Sequence, residues 1–545
     1  MRPINTMTTE TDIPDYIIVG GGTAGCVLAN RLASNPTLSV CLIEAGPDYQ
    51  SSLLSTPGAF GLLVSQPTFN YMYSSEPEPH CQNRVIGTPL GKVLGGGSAI
   101  NAMVHARGQA HDFDLWEQLG NQGWGYRDIL PYIHKTEGKT QPPAKGTIKT
   151  TKSDAVSFDI SRLFLQTAEK LGIPKNPNFN DDHTENYGVG NFEQAIHQGK
   201  RSSTANSFID PIAMQTNVQL VTNATVEKIL IEDKTAKGVA YYHDGSQKTL
   251  LAKRGVILSG GAVNNPKLLM LSGIGPAEAL TEQGIEVIHE LNGVGSNLQE
   301  HADYSIVVAS KNHQGGHFSL LNMLKTAVHI VQYWRNKTGP LSQSITEIGG
   351  FIKSSPELEH ADIQLHFMPF QMPANSVDLK QMMQRGFTCR ISLLKPESRG
   401  HIALASADIN DPPKIHYQLL DKEADIRRLL SGVKQVREIF NHPDFAPYKI
   451  AEVSPGDNIQ SDQALEQAIR KEVSIIYHPV GSCKMGQDQQ AVVDHKLNVH
   501  GLKNLIIADA SIMPVTVSGN TNSTTMTIAE KAADNILSAF AAANT

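Results

Sequence analysis

Three glycines near the beginning of the sequence have the spacing of a turn that binds phosphate. Gly20, Gly22 and Gly25 form the pattern G-x-G-x-x-G directly after the apolar run 16–19, which is typical of a buried strand. In such a turn the glycines permit the tight bend, the close approach of a pyrophosphate and the packing of helix on strand. Glu44 ends the next apolar run, about 20 residues later, where a carboxylate suits a ribose hydroxyl. The pattern predicts a dinucleotide site, and by itself it does not separate NAD from FAD.

A second glycine-rich segment, residues 91–103, contains three consecutive glycines followed by small residues. It lacks the Gly-Lys-Ser/Thr ending of a P-loop. Apolar residues stand on both sides of the glycines, which favours an anchored backbone that approaches a flat or charged ligand over a merely flexible loop.

The composition is that of an ordinary soluble enzyme. The chain has 545 residues, of which 40% are hydrophobic and 18% charged, with a net charge of −7; this predicts two or more domains and argues against a nucleic-acid surface. The five cysteines are scattered and no histidines are spaced as ligands, so neither disulfides nor a metal site is indicated. Residues 1–15 lack the apolar core of a secretory signal and no run could span a bilayer, which favours a cytoplasmic location.

The elements that must position these motifs form two groups. Residues 15–46 read as a β-α-β unit, and the strand-like runs 218–221 and 255–262 return the chain to it, which predicts a discontinuous Rossmann-like domain. Between about 310 and 470 strand-like segments follow each other with few helices between them, which favours an antiparallel sheet as the wall of a substrate site. The predicted fold is therefore α/β in the nucleotide domain and α+β overall.

Three stretches near the end of the sequence, 477–486, 505–514 and 518–534, complete a set of separated motifs with the two glycine segments and residues 272–275. In this order, over about residues 15–540, the set resembles the glucose–methanol–choline (GMC) family of flavoprotein oxidoreductases. The similarity is greatest to bacterial FAD-dependent alcohol dehydrogenases, with choline dehydrogenases close behind.

The resemblance implies a division of the chain and a cofactor. It implies an FAD-binding domain over 12–312, a substrate-binding domain over 313–470 and a return to the FAD domain over 471–540. Some family members attach FAD through a histidine at the position of Ile100, so the resemblance implies FAD held non-covalently. Together with the glycine motif, it predicts a cofactor site formed by Gly20, Gly22, Thr23, Ala24, Gly25, Glu44, Ala45, Val93, Gly97, Ser98, Asn101, Ala102, Met103, Val104, Val226, Asp509, Ala510, Asn520, Thr521 and Asn522.

The resemblance also implies the catalytic residues. His478 precedes Pro479 at the end of an apolar run, and on spacing alone a buried, satisfied histidine is the more usual explanation. In the family this histidine is the general base for alcohol oxidation, while hydride passes from carbon to flavin N5. The second catalytic position falls on Asn520, with Asn522 as the alternative; an asparagine cannot act as a base and would instead polarise the alcohol oxygen.

Several functions remain open at this stage. The leading prediction is oxidation of a primary alcohol to an aldehyde, with electrons passed to a quinone-type acceptor. Alternatives are a choline dehydrogenase or an oxidase that uses O₂, and, outside redox chemistry, a hydroxynitrile lyase or photodecarboxylase. A nicotinamide-linked dehydrogenase that shares only the fingerprint, or a non-enzymatic flavin-binding module, would leave the late His and Asn motifs unexplained.

Residues 317–334 carry an apolar stripe at helical spacing, with Lys325, Arg335 and Lys337 nearby. A helix packed on the core of the substrate domain accounts for this pattern. The alternative is an apolar rim beside the alcohol entrance that rests on the inner face of a membrane, as amphipathic helices with basic flanks do.

Overall fold

The computed structural model describes residues 13–152, 158–311, 320–372 and 384–543. Its α-helices span Thr23–Ala33, Ser52–Ser55, Phe60–Leu63, Gly97–Ile100, Ala110–Gln118, Tyr126–Glu137, Asp159–Lys170, Gly261–Leu271, Ala277–Glu282, Leu320–Asn336, Glu423–Asn441, Asp462–Glu472 and Thr521–Ala543. Short strand pairs are Tyr73–Ser74 with Gly87–Thr88, Val104–His105 with Glu193–Gln194, Ile196–His197 with Lys200–Arg201, Ile274–Gly275 with His289–Glu290, and His401–Ala403 with Lys414–His416.

A five-stranded parallel sheet holds the first glycine turn. Its spatial order is Val218–Val221, Val40–Ile43, Tyr16–Val19, Gly255–Leu258 and Leu505–Ile507. The central strands are buried and rich in Val, Ile and Leu, as parallel strands covered on both faces are. The predicted β-α-β unit is confirmed, and the sheet combines strands from distant parts of the chain.

One helix packs on this sheet and pairs with a second helix that begins beside it. The helix Thr23–Ala33 is buried along almost its whole length and packs on the C-terminal helix Thr521–Ala543. Arg31 and Glu530 join them through a buried ion pair of 2.6 Å. A Cβ on Gly25 would lie 2.0 Å from the carbonyl oxygen of Gly20, so only glycine lets the helix start this close to the turn that precedes it.

A seven-stranded antiparallel sheet forms the second layer, as predicted. Its order is Lys449–Ser454, Ala302–Ser310, Gly386–Leu393, Ile363–Met368, Ile348–Ile352 and Gly188–Asn191, and Ser474–Ile475 also pairs with Ala302–Ser310. Strands from before residue 313 and after residue 470 join this sheet, and the domain boundaries themselves remain predictions. A smaller antiparallel sheet contains Ala224–Glu232, Thr235–His243 and Ser246–Leu251.

The sequence predicts helices over 112–137 and over 266–271, and the bounds of both differ in the structure. Residues 112–137, predicted as helical throughout, form two helices, because Gly120 and Gly123 adopt positive φ angles between them. The helix predicted from Pro266 begins five residues earlier, at Gly261. A proline inside a helix leaves one carbonyl without its usual N–H donor, and here the Ser482 hydroxyl donates to that carbonyl, on Ala262.

The helix predicted over 317–334 lies partly outside the described residues, and its described part is Leu320–Asn336. Across the described ranges, no helix combines the length and the hydropathy needed to span a membrane.

Candidate active site

One cavity of about 220 Å³ lies where the edge of the parallel sheet meets the antiparallel sheet. Two helices point their first residues, Thr23 and Thr521, into it. The Thr23 hydroxyl donates to the side chain of Asn522 at 2.9 Å, which ties the two helix beginnings together. Because a helix N-terminus carries unpaired N–H groups and partial positive charge, this end of the cavity favours anionic groups.

The adenosine half of the predicted dinucleotide site is built around Glu44. Its buried carboxylate accepts hydrogen bonds from the backbone N–H groups of Gly21 at 2.7 Å and Gly46 at 2.8 Å. Burial raises the pKa of this carboxyl, while those two hydrogen bonds lower it. Val226 lies on the strand that begins beside Glu44, since the N–H of Ala224 donates to the Glu44 carbonyl. A carboxylate held in this way can accept from ribose hydroxyls, so the residues fit the dinucleotide.

The two glycine segments, far apart in sequence, are in direct contact. A Cβ on Gly96 would lie 2.7 Å from the Cα of Gly22, so side chains at this crossing would force the segments apart. The second segment then continues into the cavity wall. The predicted cofactor residues that line the cavity are Thr23, Gly97, Asn101, Ala102, Met103, Val104, Asn520, Thr521 and Asn522.

Other predicted cofactor residues shape the loops and do not line this cavity. Ser98 donates to the Gly95 carbonyl at 2.6 Å. Asp509 accepts from the N–H of Gly261 at 2.7 Å and from the Asn265 side chain at 2.8 Å, so its carboxylate organises the neighbouring glycine turn. The remainder stand at the adenosine side or behind the loops: Gly20, Gly22, Ala24, Gly25, Glu44, Ala45, Val93, Val226 and Ala510. Their contacts with a cofactor remain predictions.

His478 and Asn520 meet in the cavity wall. The Nε2 atom of His478 lies 3.4 Å from the Nδ2 atom of Asn520. The Oδ1 atom of Asn520 accepts from Gln364 Nε2 at 3.2 Å, and its backbone N–H donates to the Ala106 carbonyl at 3.0 Å. Asn522 is occupied with Thr23, so of the two predicted asparagines the structure places Asn520 beside the histidine.

The imidazole of His478 is set up to be neutral. Burial and the nearby cation Arg390 lower its pKa to about 3, because both disfavour the charged ring. The residue before it, Tyr477, has a φ of 66°, a left-handed conformation that a bulky side chain rarely adopts. Such strain is typical of functional sites, where the surrounding structure holds the backbone in place.

Sequence analysis missed several residues of this site. His366 and Arg390 face the cavity from neighbouring strands of the antiparallel sheet, and Gln364 contacts Asn520 from the strand of His366. His366 had no partner pattern in the sequence. Behind His478 lie Glu300 and His301. The one available signal was this adjacent titratable pair, placed directly before the buried strand Ala302–Ser310.

Comparison with known proteins decides the family. Two family models, both described as GMC oxidoreductase, match residues 14–303 and 396–529. The chain therefore belongs to the GMC oxidoreductases. A relative from Pseudomonas putida, an alcohol dehydrogenase [acceptor], is 39% identical over 533 residues, covering 96% of this chain and 95% of the relative. An oxygen-dependent choline dehydrogenase of Pseudomonas savastanoi pv. phaseolicola is 37% identical over 541 residues, covering 97% and 94% of the two chains.

Solved structures agree with this membership. A formate oxidase of Aspergillus oryzae, studied for the effect of a mutation on its FAD modification, superposes with a TM-score of 0.87 at 26% identity over 97% of this GMC oxidoreductase and 99% of the other chain. The predicted family, fold class and enzyme class are thereby confirmed, and FAD is the dinucleotide that the family membership supports. Bound at this site, FAD would supply the hydride acceptor that no side chain can provide.

Proposed function

We propose that this GMC oxidoreductase oxidises a primary alcohol to the aldehyde. The observation that carries the proposal is the position of His478, whose Nε2 lies 3.4 Å from Nδ2 of Asn520 in a cavity shared with the predicted flavin-side loop. In this reaction His478 Nε2 would take the hydroxyl proton and the Asn520 amide would donate to the oxygen, while FAD, when bound, would supply the acceptor for the hydride. Anaerobic loss of flavin colour on adding a primary alcohol tests this reaction. A hydroxynitrile lyase or a photodecarboxylase would not lose its colour in this way.

The cavity wall favours an alkyl chain on the alcohol. Apolar side chains surround the catalytic pair: Phe60, Val64, Ile345, Met368 and Met372. The Pseudomonas putida relative is likewise an alcohol dehydrogenase. Each buried CH₂ contributes about 0.8 kcal/mol, so kcat/KM should rise roughly fourfold per CH₂ until the cavity is filled.

Choline is the main alternative substrate, because a choline dehydrogenase is also a relative. Quaternary ammonium groups are bound by carboxylates or aromatic cages. Here Arg390 faces the cavity, and no Asp or Glu is among the described residues that line it. The buried carboxylate of Asp303 is already occupied, accepting from Arg390 Nε at 2.7 Å and from Ser392 Oγ at 2.6 Å. A cationic substrate would therefore meet the Arg390–Asp303 ion pair and no free carboxylate among the described lining residues, which favours neutral alcohols.

Two alcohols of the same shape test this preference. In 3,3-dimethylbutan-1-ol a carbon atom replaces the nitrogen of choline, so the pair differs mainly in charge. We expect kcat/KM for the neutral alcohol to exceed that for choline by 100-fold or more. Two tenfold steps correspond to a difference of about 2.7 kcal/mol in activation free energy. Equal kcat/KM values, or a higher value for choline, would contradict this preference and favour choline as the substrate.

We also propose that FAD is held without a covalent bond. Ile100, which stands where some family members attach the flavin, lines the cavity and has no nucleophilic atom. Acid precipitation of the purified protein should leave the flavin in the supernatant, measured by its absorbance. Flavin that stays with the pellet would contradict the proposal, and reloading the apoprotein with FAD is the positive control.

The electron acceptor is proposed to be a membrane quinone, reached from an apolar rim. On the helix Leu320–Asn336 the side chains of Val328, Ile330, Val331 and Trp334 are exposed, Trp334 to 72%. Tyr333 on the same helix is buried and donates to the Ser55 carbonyl at 3.3 Å. The segment that follows Ser55 contributes Phe60 to the cavity wall, so this helix packs beside a segment that lines the cavity. This arrangement supports peripheral contact with the cytoplasmic face of a membrane.

Sedimentation with anionic liposomes at low salt tests the rim. We expect part of the protein to sediment, and the double change Val331→Ser with Trp334→Ser to reduce that part by more than half. Met214→Ser removes an equally exposed apolar side chain elsewhere and should leave sedimentation unchanged. If the wild-type protein stays in the supernatant, or if all variants sediment equally, the rim does not bind membranes and O₂ becomes the favoured acceptor.

A further inference from the structure

His301 lies behind His478, on the side away from the cavity. It is completely buried, and its Nδ1 atom is 3.1 Å from the Nδ1 atom of His478. Its other ring nitrogen, Nε2, is 3.0 Å from the Thr516 hydroxyl. The two imidazole rings are nearly perpendicular, with an interplanar angle of 85°. Every polar atom of the His301 ring therefore has a partner, and one of them is the proposed base.

The contact between two ring nitrogens allows only two neutral arrangements, since a hydrogen bond contains one proton. In the first, Nδ1–H of His478 donates to His301, and Nε2–H of His301 donates to Thr516. In the second, Thr516 donates to His301, His301 donates to His478, and His478 then carries its proton on Nε2. Only the first leaves a lone pair on Nε2 of His478, where the substrate proton must arrive.

Asn520 selects between the two arrangements. Gln364 Nε2 donates to the Oδ1 atom of Asn520 at 3.2 Å, which turns the amide NH₂ of Asn520 towards Nε2 of His478 at 3.4 Å. An N–H donor faces that nitrogen favourably only when the nitrogen carries no proton. The contacts thus form one chain with a single direction, from Gln364 through Asn520, His478 and His301 to Thr516.

The backbone holds the two histidines at a constant separation. The Oε1 atom of Glu300 accepts from the backbone N–H of His478 at 2.8 Å and from that of His301 at 2.9 Å. One carboxylate oxygen therefore connects both residues at their main chains. Little movement is left in the contact between the rings.

We propose that His301 is a positioning residue that holds His478 in the tautomer required of a base. It accepts the Nδ1–H of His478 and passes its own Nε2–H to Thr516, so the lone pair of His478 Nε2 stays directed at the cavity. When His478 takes the substrate proton on Nε2, its Nδ1–H still donates to His301, so that hydrogen bond does not have to be rebuilt. The role is that of the group that orients a catalytic imidazole, filled here by a neutral ring. It rests on the proposed role of His478 as base.

Substitutions at His301 test whether the acceptor at Nδ1 matters. His301→Leu removes it, and we expect anaerobic reduction of bound FAD by a saturating alcohol to slow by about 10- to 100-fold. His301→Asn can place a carbonyl oxygen near the position of Nδ1 and should recover most of the rate. Thr516→Val should slow reduction, because it leaves the His301 Nε2–H unpaired, and Thr516→Ser should restore it. His401→Leu, a matched change at a half-buried histidine stacked on His416, should have no effect.

A double-variant comparison separates positioning from a general loss of structure. If His301 acts only through His478, then His301→Leu should slow reduction in the wild-type background and have almost no further effect in the His478→Ala background. Equal slowing in both backgrounds, or wild-type rates in His301→Leu and Thr516→Val, would overturn the inference. If His301→Leu does not fold, the inference is tested instead by comparing Thr516→Val with Thr516→Ser and by the reduction rate of His301→Asn. If the wild-type flavin is reduced by no alcohol at all, the proposed function fails instead.

Discussion

Replacing His478 by alanine should slow the reduction of bound FAD by alcohol by about 10²–10⁴-fold, the usual range for loss of a general base. The reason is the position of its Nε2 atom in the cavity wall beside Asn520. The same variant should retain FAD, because the predicted cofactor contacts come from the glycine segments and the two helix N-termini. Anaerobic stopped-flow absorbance measures the rate, and the flavin-to-protein absorbance ratio measures retention.

His401→Ala is the matched control for this experiment. His401 stacks on His416 with ring centroids 4.4 Å apart and does not line the cavity. Its variant should reduce FAD at the wild-type rate. A loss of less than tenfold in His478→Ala would make this histidine structural, which is the explanation that spacing alone favoured.

The second large effect is expected at Asn520. Its amide is held between Gln364 and His478, at 3.2 Å and 3.4 Å, so an alcohol oxygen placed at the base would also meet this donor. Removing a preorganised donor to an oxyanion costs on the order of 10²–10³ in rate, and we expect Asn520→Ala to fall at the lower end of that range. The measurement is again the limiting rate of FAD reduction.

Asn522→Ala is the matched comparison, two residues further along the chain and in the first turn of the helix Thr521–Ala543. Asn522 accepts from Thr23 at 2.9 Å, so its loss should loosen the junction of the two helix N-termini and weaken FAD retention more than it slows reduction. The opposite ranking, with Asn522→Ala the slower variant, would move the second catalytic position by two residues.

Elements whose sequence patterns lie within a short stretch of the chain could be predicted without the structure. The run 16–19, the three glycines after it and Glu44 lie within a single β-α-β unit, and each residue is there for a conformational or hydrogen-bonding reason that a short window reveals. The alternating segments after residue 310 likewise predicted strands, because the alternation of residue types along a strand is visible without knowing which strands it pairs with. The helix predicted to begin at Pro266 begins at Gly261, because the Ser482 hydroxyl replaces the N–H donor that the proline lacks.

Which side chains meet could be seen only in the folded molecule. His301 and His478 are 177 residues apart, and Gln364 and Asn520 are 156 apart, yet each pair is in hydrogen-bonding contact. Arg390 reaches the cavity because its strand pairs in one register with the strand of His366, and a slip of one residue in its own strand would turn Arg390 to the other face. A strand pattern shows that pairing will occur and leaves the partner and the register open. Packing of the two layers determines the partner strand and the register. It thereby also brings together the groups that lower the pKa of His478.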